Sequence, residues 1–258
     1  MAERVDYDAV ADVYPNRYEQ SDYADVGRAL AAFVAATRDA PHSPVLEVGC
    51  GTGHWLRFLH NAGLVVHGVD SSSGMLRVAQ ATVPDARLAR GLAEALPFDP
   101  LSFDRIFCIN ALHHFTEPSA FFREATRVIR PAGGVLIVGL DPHTRRDRWW
   151  IYDYFPGALV ADRMRYPSAD AIRGMMASAG FERCTTERVQ RLRRRLQLSE
   201  ASSRGFLERA HTSQLMVISD EEYQAGLARI RTADISSPHE RVLEADLTLY
   251  GTIGWLPA

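Results

Sequence analysis

Short apolar runs alternate along this chain with stretches in which apolar residues recur at helical spacing. Strands are expected at 45–49, 64–70, 86–90, 103–109, 135–140, 181–189 and 245–255, and helices at about 53–62, 73–82, 118–129 and 168–179. An earlier helix carries Val26, Leu30, Phe33 and Val34 on one face, with Asp25 or Ser21 as its cap. Asn61-Ala62-Gly63 and Gly180 read as helix stops, and Ser71-Ser72-Ser73 as a helix start. Val135 to Leu140 is apolar throughout, as a strand buried on both faces must be. Strands alternating with helices predict an α/β fold: a doubly wound, mostly parallel seven-stranded sheet.

Two segments interrupt the alternation. Residues 142–167 carry Trp149, Trp150, Tyr152, Tyr154, Phe155 and Tyr166. Residues 191–240 are helical in pattern and form an insertion before the last strand. Both follow strand ends or neighbouring loops, where open α/β sheets bind ligands. They are candidate substrate lids; ordinary packing of the aromatics into a satellite core is the competing reading.

The chemistry concentrates in Val45-Leu46-Glu47-Val48-Gly49-Cys50-Gly51-Thr52-Gly53, followed by an apolar strand that ends at Asp70. Glycines let a backbone turn tightly and approach a ligand, and a following helix offers N–H groups. An acid about 20 residues on can accept hydrogen bonds from ribose hydroxyls. The spacing fits a nucleotide-type cofactor but not a dinucleotide. A G-x-G-x-x-G fingerprint would need glycine at 54 or 56, which are His54 and Leu56.

Composition narrows the class. The 258 residues, 47% hydrophobic and 24% charged, suffice for one large domain spanning 1–258. No apolar run approaches the roughly 20 residues of a membrane span. The N-terminus has no apolar leader, and three scattered cysteines (Cys50, Cys108, Cys184) fit a reducing cytoplasm. The net charge of −3 speaks against a general nucleic-acid partner. The exception is Arg188, Arg191, Arg193, Arg194 and Arg195. The favoured reading is a solvated strand end with Val189, Leu192, Leu196 and Leu198 inward; a docking patch for an acidic group is the other.

The acid followed by G-x-G-x-G resembles motif I of the class I S-adenosylmethionine-dependent methyltransferases, and further motifs follow in order. Tyr7-Asp8-Ala9-Val10-Ala11-Asp12-Val13-Tyr14 resembles a lid motif, and Val69-Asp70-Ser71-Ser72-Ser73-Gly74-Met75-Leu76 the strand-two acid and its helix. Gly91-Leu92-Ala93-Glu94-Ala95-Leu96-Pro97-Phe98, Phe103-Asp104-Arg105 through His114, and Arg127 through Gly134 resemble the later ones. The resemblance covers about residues 5–140 and is closest to the small-molecule branch with the ubiquinone and menaquinone biosynthesis enzymes. It implies a Rossmann-like fold with an N-terminal helical lid (1–40), a cofactor-binding core (41–141) and S-adenosylmethionine as cofactor, leaving S-adenosylhomocysteine as product. Gly49, Cys50 and Gly51 would then meet the methionine moiety, with Glu47 near its ammonium. Asp70 would take the ribose hydroxyls, and Ser71, Met75, Leu92 and Ala93 the adenine. Tyr14 and Arg17 would cover the methionine end, and Asn110 and Ala111 would border the site. One residue departs from the pattern: the family's acceptor for the adenine amine is Asp, and Leu92 cannot accept a hydrogen bond.

Methyl transfer is a direct displacement that needs alignment and, for some acceptors, a base. Candidate catalytic residues are His113 and His114 at the end of the fourth strand, for which bracing the cofactor loop is the favoured role, and His143. Trp149, Trp150, Tyr152 and His211 are candidate substrate contacts, although His211 by itself reads as a surface residue. No metal is expected. The leading expectation is a small-molecule methyltransferase, monomeric or a homodimer. A tRNA or protein methyltransferase and a non-catalytic cofactor-binding protein are the alternatives.

Overall fold

The computed structural model describes residues 5–15, 23–36, 43–235 and 241–258; Arg17 and Ser21 lie outside them. Its elements begin with helix α1 (Ala24–Ala35), strand β1 (Val45–Val48), α2 (His54–Asn61), β2 (Val66–Asp70), α3 (Ser73–Thr82) and β3 (Arg87–Arg90). Strand β4 (Phe103–Ile109), α4 (Pro118–Val128), β5 (Ile129–Leu140) and β6 (Arg148–Trp149) follow. Helices α5 (Trp150–Tyr154), α6 (Pro156–Arg165) and α7 (Ala169–Ser178) precede β7 (Glu182–Gln197). Helices α8 (Leu198–Ser203), α9 (Ser213–Met216) and α10 (Asp220–Ile235) separate β7 from β8 (Val242–Trp255).

The strands form one sheet in the order β3-β2-β1-β4-β5-β8-β6, with β7 also paired to β8. Strands β1 to β5 are parallel, and β8 runs antiparallel to β5, β6 and β7. The order reverses at β1, which lies between β2 and β4; a crevice opens at the carboxyl ends of strands at such a point. Helices cover both faces. Val26, Leu30, Phe33, Trp55, Leu56 and Leu59 form a core on one. Phe121, Phe122, Ala125 and Met176 contribute to the core on the other.

The expected α/β class holds, with two local differences. The sheet has eight strands because the two-residue β6 pairs Arg148 and Trp149 with Asp246 and Ala245. Residues 191–197, expected within a helical insertion, instead continue β7 as far as Gln197, paired with a longer β8. The alternation in that stretch decides it. Arg191, Arg193 and Arg195 share one face and form ion pairs with Asp246 and Glu244 across the strand pair. Three arginines of the cluster thus share two carboxylates on one strand face.

Helix ends show where local signals suffice and where they do not. Ser72 caps α3 as expected, its hydroxyl accepting from the Met75 N–H at 3.0 Å. Helix α1 contains one expected cap, Asp25, and the other, Ser21, lies outside the described residues. Its Asp25 and Val26 N–H groups donate to Gln190 Oε1 at 2.9 and 3.2 Å, far away on β7. At the other end the Arg105 guanidinium donates to the carbonyls of Phe33 and Ala36. It lies 4.6 Å from the Trp255 ring centre, and burial pulls its pKa down.

Trp150, Ile151 and Phe155 build a satellite core with Leu215, Ile230 and Leu243. Gly226 of α10 lies against Phe155 so closely that an added Cβ would overlap the ring. Gly174, also helical, faces open space. Gly226→Ala is therefore expected to destabilise by about 1–3 kcal/mol through overpacking, and Gly174→Ala to stabilise by about 0.5–1 kcal/mol through helix propensity. Urea unfolding of the two variants measures both signs; equal effects would place Phe155 elsewhere.

Candidate active site

The carboxyl ends of β1, β2 and β4 surround a cavity of about 770 Å³, counted to its open mouth. Its floor is the glycine loop. Gly49, Gly51 and Gly53 have φ of +75°, +51° and +81°. A Cβ on Gly49 would overlap that of Ala111, which follows β4. The strain of side-chain-bearing residues at such φ and this close passage explain glycine at the first position. Asp70, at the end of β2, fixes the loop. One carboxylate oxygen accepts from the Gly51 N–H at 2.8 Å and the other from the Ser72 N–H at 2.9 Å. Burial raises the Asp70 pKa, and these N–H donors oppose the shift.

Of the residues expected around a cofactor, Tyr14, Gly49, Cys50, Gly51, Asp70, Ser71, Met75, Leu92, Ala93, Asn110 and Ala111 line this cavity. Glu47 does not. It lies beneath the loop, 2% exposed, with Oε2 unpartnered. Burial first, and then nearby Asp70, drive its pKa well up. It is placed to support the loop from below rather than to touch a ligand across it. Tyr7, Glu94 and Phe115 line the cavity in addition. Tyr7 and Glu94 stand inside the resemblance motifs, which is the signal that could have found them. Glu94 Oε1 accepts from the Thr116 and Glu117 N–H groups at 2.6 and 3.1 Å, joining two loops of the rim.

The N-terminal segment closes over this cavity. Asp8 Oδ1 accepts from the Ser72 hydroxyl at 2.7 Å and from the Gly74 N–H at 2.6 Å, at the start of α3. The Gly74 bond chiefly holds its pKa below the usual carboxylate range. Tyr7 Oη lies 2.7 Å from His114 Nε2. His114 thus faces the cavity while tethering the segment above it.

A second cavity, of about 800 Å³ to its mouth, lies beyond the first, and Asn110 lines both. Its walls include Trp149, Trp150, Phe206, Leu247 and Leu249. Asn110 has φ +53°, a backbone conformation that side-chain-bearing residues adopt mainly where the surroundings enforce it. His211, expected at the surface, lines this cavity with its ring 4.5 Å from that of Phe206. Arg194, Thr212 and Gln214 also line it. Arg194 was legible only as part of a charge cluster, and Thr212 and Gln214 gave no signal.

Three candidates are placed differently from expectation. Tyr152 lines neither cavity. Its hydroxyl donates to Asp162 at 2.6 Å, and burial, reinforced by that carboxylate, raises its pKa. His143 sits in a separate open cleft, its Nε2 2.8 Å from the Tyr166 carbonyl, and it reaches neither cavity. His113 lines a small neighbouring pocket, stacked on Tyr166 at 3.9 Å, with Nε2 3.0 Å from the tyrosine oxygen. Among the described residues no three His, Cys, Asp or Glu side chains gather as a metal site, and no helix is long and apolar enough to cross a membrane.

Asp162 organises the roof of the second cavity. Fully buried, it accepts from Tyr152, Arg165 and Gln214, and Gln214 also donates to the Tyr166 hydroxyl at 3.1 Å. Asp162→Ala would strand the Arg165 guanidinium, 13% exposed, without its carboxylate. The expected loss is about 3–5 kcal/mol, against about 1 kcal/mol for Tyr152→Phe. Chemical denaturation distinguishes them; a loss near 1 kcal/mol for both would mean that water compensates the arginine.

Comparison with known proteins follows the same outline. Residues 46–138, which span β1 to β5, match the family described as "Methyltransferase domain". The chain is 31% identical over 182 residues to the ubiquinone/menaquinone biosynthesis C-methyltransferase UbiE of Xanthomonas campestris, covering 59% of this chain and 71% of that one. It is 31% identical over 150 residues to the phthiotriol/phenolphthiotriol dimycocerosates methyltransferase of Mycobacterium leprae, covering 56% of this chain and only 54% of the relative's length. A solved structure from Anabaena variabilis, ascribed to a methyltransferase of an antibiotic biosynthesis pathway, superposes with a TM-score of 0.68. It shares 24% identity and covers 89% of this chain and 96% of the other, a likeness of fold. With the glycine loop, the Asp70 anchor and the crevice at the sheet's switch point in place, the chain belongs to the class I S-adenosylmethionine-dependent methyltransferases.

Proposed function

We propose that this protein moves a methyl group from S-adenosylmethionine to an oxygen, nitrogen or carbon atom of a small, aromatic or apolar acceptor by direct displacement. The carrying observation is that the glycine-loop cavity and the apolar cavity share Asn110 as a wall. Displacement at a methyl carbon needs the nucleophile in line with the carbon–sulfur bond, so donor and acceptor cavities must touch end to end.

The cofactor supplies the sulfonium-activated methyl group; the residues hold and orient. Gly49 and Gly51 admit the methionine moiety against bare backbone, with the Tyr7 and Tyr14 rings over it. Asp70 uses part of its acceptor capacity on two N–H groups, and a carboxylate has about four lone-pair sites, which leaves room for ribose hydroxyls. Met75 and the Ala93 backbone border the adenine end, and Leu92 packs there without accepting a hydrogen bond. His113 and His114 act by positioning: His114 ties Tyr7 over the donor cavity, and His113 ties Tyr166 beside the acceptor cavity. An apolar wall around the acceptor keeps water from the nucleophile. The Xanthomonas relative is named a C-methyltransferase, which supports including carbon among the acceptor atoms.

Methyl-labelled S-adenosylmethionine incubated with the protein and a size-fractionated extract should label the low-mass pool. Label confined to nuclease- or protease-sensitive material would transfer the reading to a macromolecular substrate. Gly49→Ala should weaken S-adenosylhomocysteine binding in calorimetry by roughly tenfold or more, from backbone strain of about 1–3 kcal/mol. Leu92→Asp should tighten it by about fivefold, one hydrogen bond of about 1 kcal/mol to the adenine amine; unchanged affinity would place the amine away from residue 92.

A further inference from the structure

Asn110 is a wall common to three cavities. Of the described residues that line the glycine-loop cavity, it alone also lines the second cavity. The small pocket that holds His113 shares only Asn110 and Ala111 with the glycine-loop cavity. Asn110 therefore brings the polar side chain to the place where the three adjoin. Its backbone is clamped on both sides. The Asn110 N–H donates to the Val138 carbonyl of β5 at 2.8 Å, one step beyond the end of β4. The next residue, Ala111, lies against Gly49. Between these two fixings φ is +53°, which asparagine tolerates better than most side-chain-bearing residues. A turn alone would take glycine, as at 49, 51 and 53. Asparagine adds an amide, and among the described residues that amide makes no hydrogen bond. The residue is half-buried, with an acceptor oxygen and two N–H donors to offer a ligand.

A positively charged sulfur turns the hydrogens of its methyl group into weak hydrogen-bond donors, and an amide oxygen is a fitting acceptor for them. We propose that Asn110 is a catalytic residue whose amide oxygen meets the transferring methyl group and holds it toward the acceptor. In the step it serves, the acceptor's electron pair forms the new bond to the methyl carbon, the carbon–sulfur pair goes to sulfur, and any proton on the acceptor atom passes to water. An amide neither gives nor takes a proton here, so the role of Asn110 is alignment. This deepens the methyltransferase reading and rests on it, and the experiment separates the two.

Calorimetry with three ligands reads the contact without an acceptor. S-adenosylhomocysteine lacks the methyl group, S-adenosylmethionine carries it, and sinefungin carries an ammonium group in its place. Asn110→Gly keeps the left-handed backbone and removes the amide. It should weaken sinefungin binding about tenfold, the loss of a charge-assisted hydrogen bond. S-adenosylmethionine should weaken by about two- to fivefold, the loss of a C–H···O contact. S-adenosylhomocysteine affinity should not change, which shows that the variant is folded. Asn110→Asp, which also tolerates the turn, should bind sinefungin more tightly than the unaltered protein does. Sinefungin affinity that survives Asn110→Gly overturns the proposal and leaves the methyltransferase reading intact. An equal loss of all three ligands overturns it too, because residue 110 would then serve the turn alone. Failure of the unaltered protein to bind S-adenosylhomocysteine would instead overturn the methyltransferase reading, and the proposal with it.

Discussion

The passage of Gly49 beneath Ala111 sets the geometry of the site. Parallel β1 and β4 are adjacent in the sheet, and the loops leaving their carboxyl ends come within touching distance. No side chain fits at position 49, and its left-handed φ suits glycine. With that loop turned back, its next N–H groups come under the reach of Asp70 from β2. Three strand ends are thereby locked into one floor beneath the crevice. Glu47, buried under the same loop with desolvation pushing its pKa up, stays out of the cavity lining.

Neighbouring histidines on one short turn distribute that floor's rigidity to both roofs. His114 reaches the N-terminal segment through Tyr7, and His113 reaches the later segments through Tyr166. From Tyr166 the chain of contacts continues through Gln214 to the buried Asp162 and on to Tyr152 and Arg165. A buried carboxylate with several donors is costly to disturb, so this network also fixes where the aromatic segment lies. The two cavities share a border at Asn110 because the roofs of both are pinned to the same turn.

The core elements were readable because their signals are local. Apolar runs, glycine and proline stops and the Ser72 cap need only near neighbours in the chain. The lining of the glycine-loop cavity was readable for a related reason. Glycines, Asp70 and the residues after β4 fall at strand ends, and strand ends in a parallel sheet converge at the switch point. The lining of the second cavity resisted. Tyr152 and Trp149 are both aromatics of one segment, yet one is spent on Asp162 and the other lines the cavity. Burial and partner choice separate them, and neither is written in spacing.

The sequence by itself determined the alternation of strands and helices, the close-approach glycines and the family to which they point. Only the tertiary structure decided that Gln190 accepts from the first N–H groups of α1, that residues 191–197 are strand, and that Arg194 turns to the face opposite that of Arg191, Arg193 and Arg195. The physical reason is range. Hydrophobic period and turn chemistry act over a few residues, whereas caps, ion pairs and cavity walls join residues that meet only once the sheet has formed, here across 165 positions between Asp25 and Gln190.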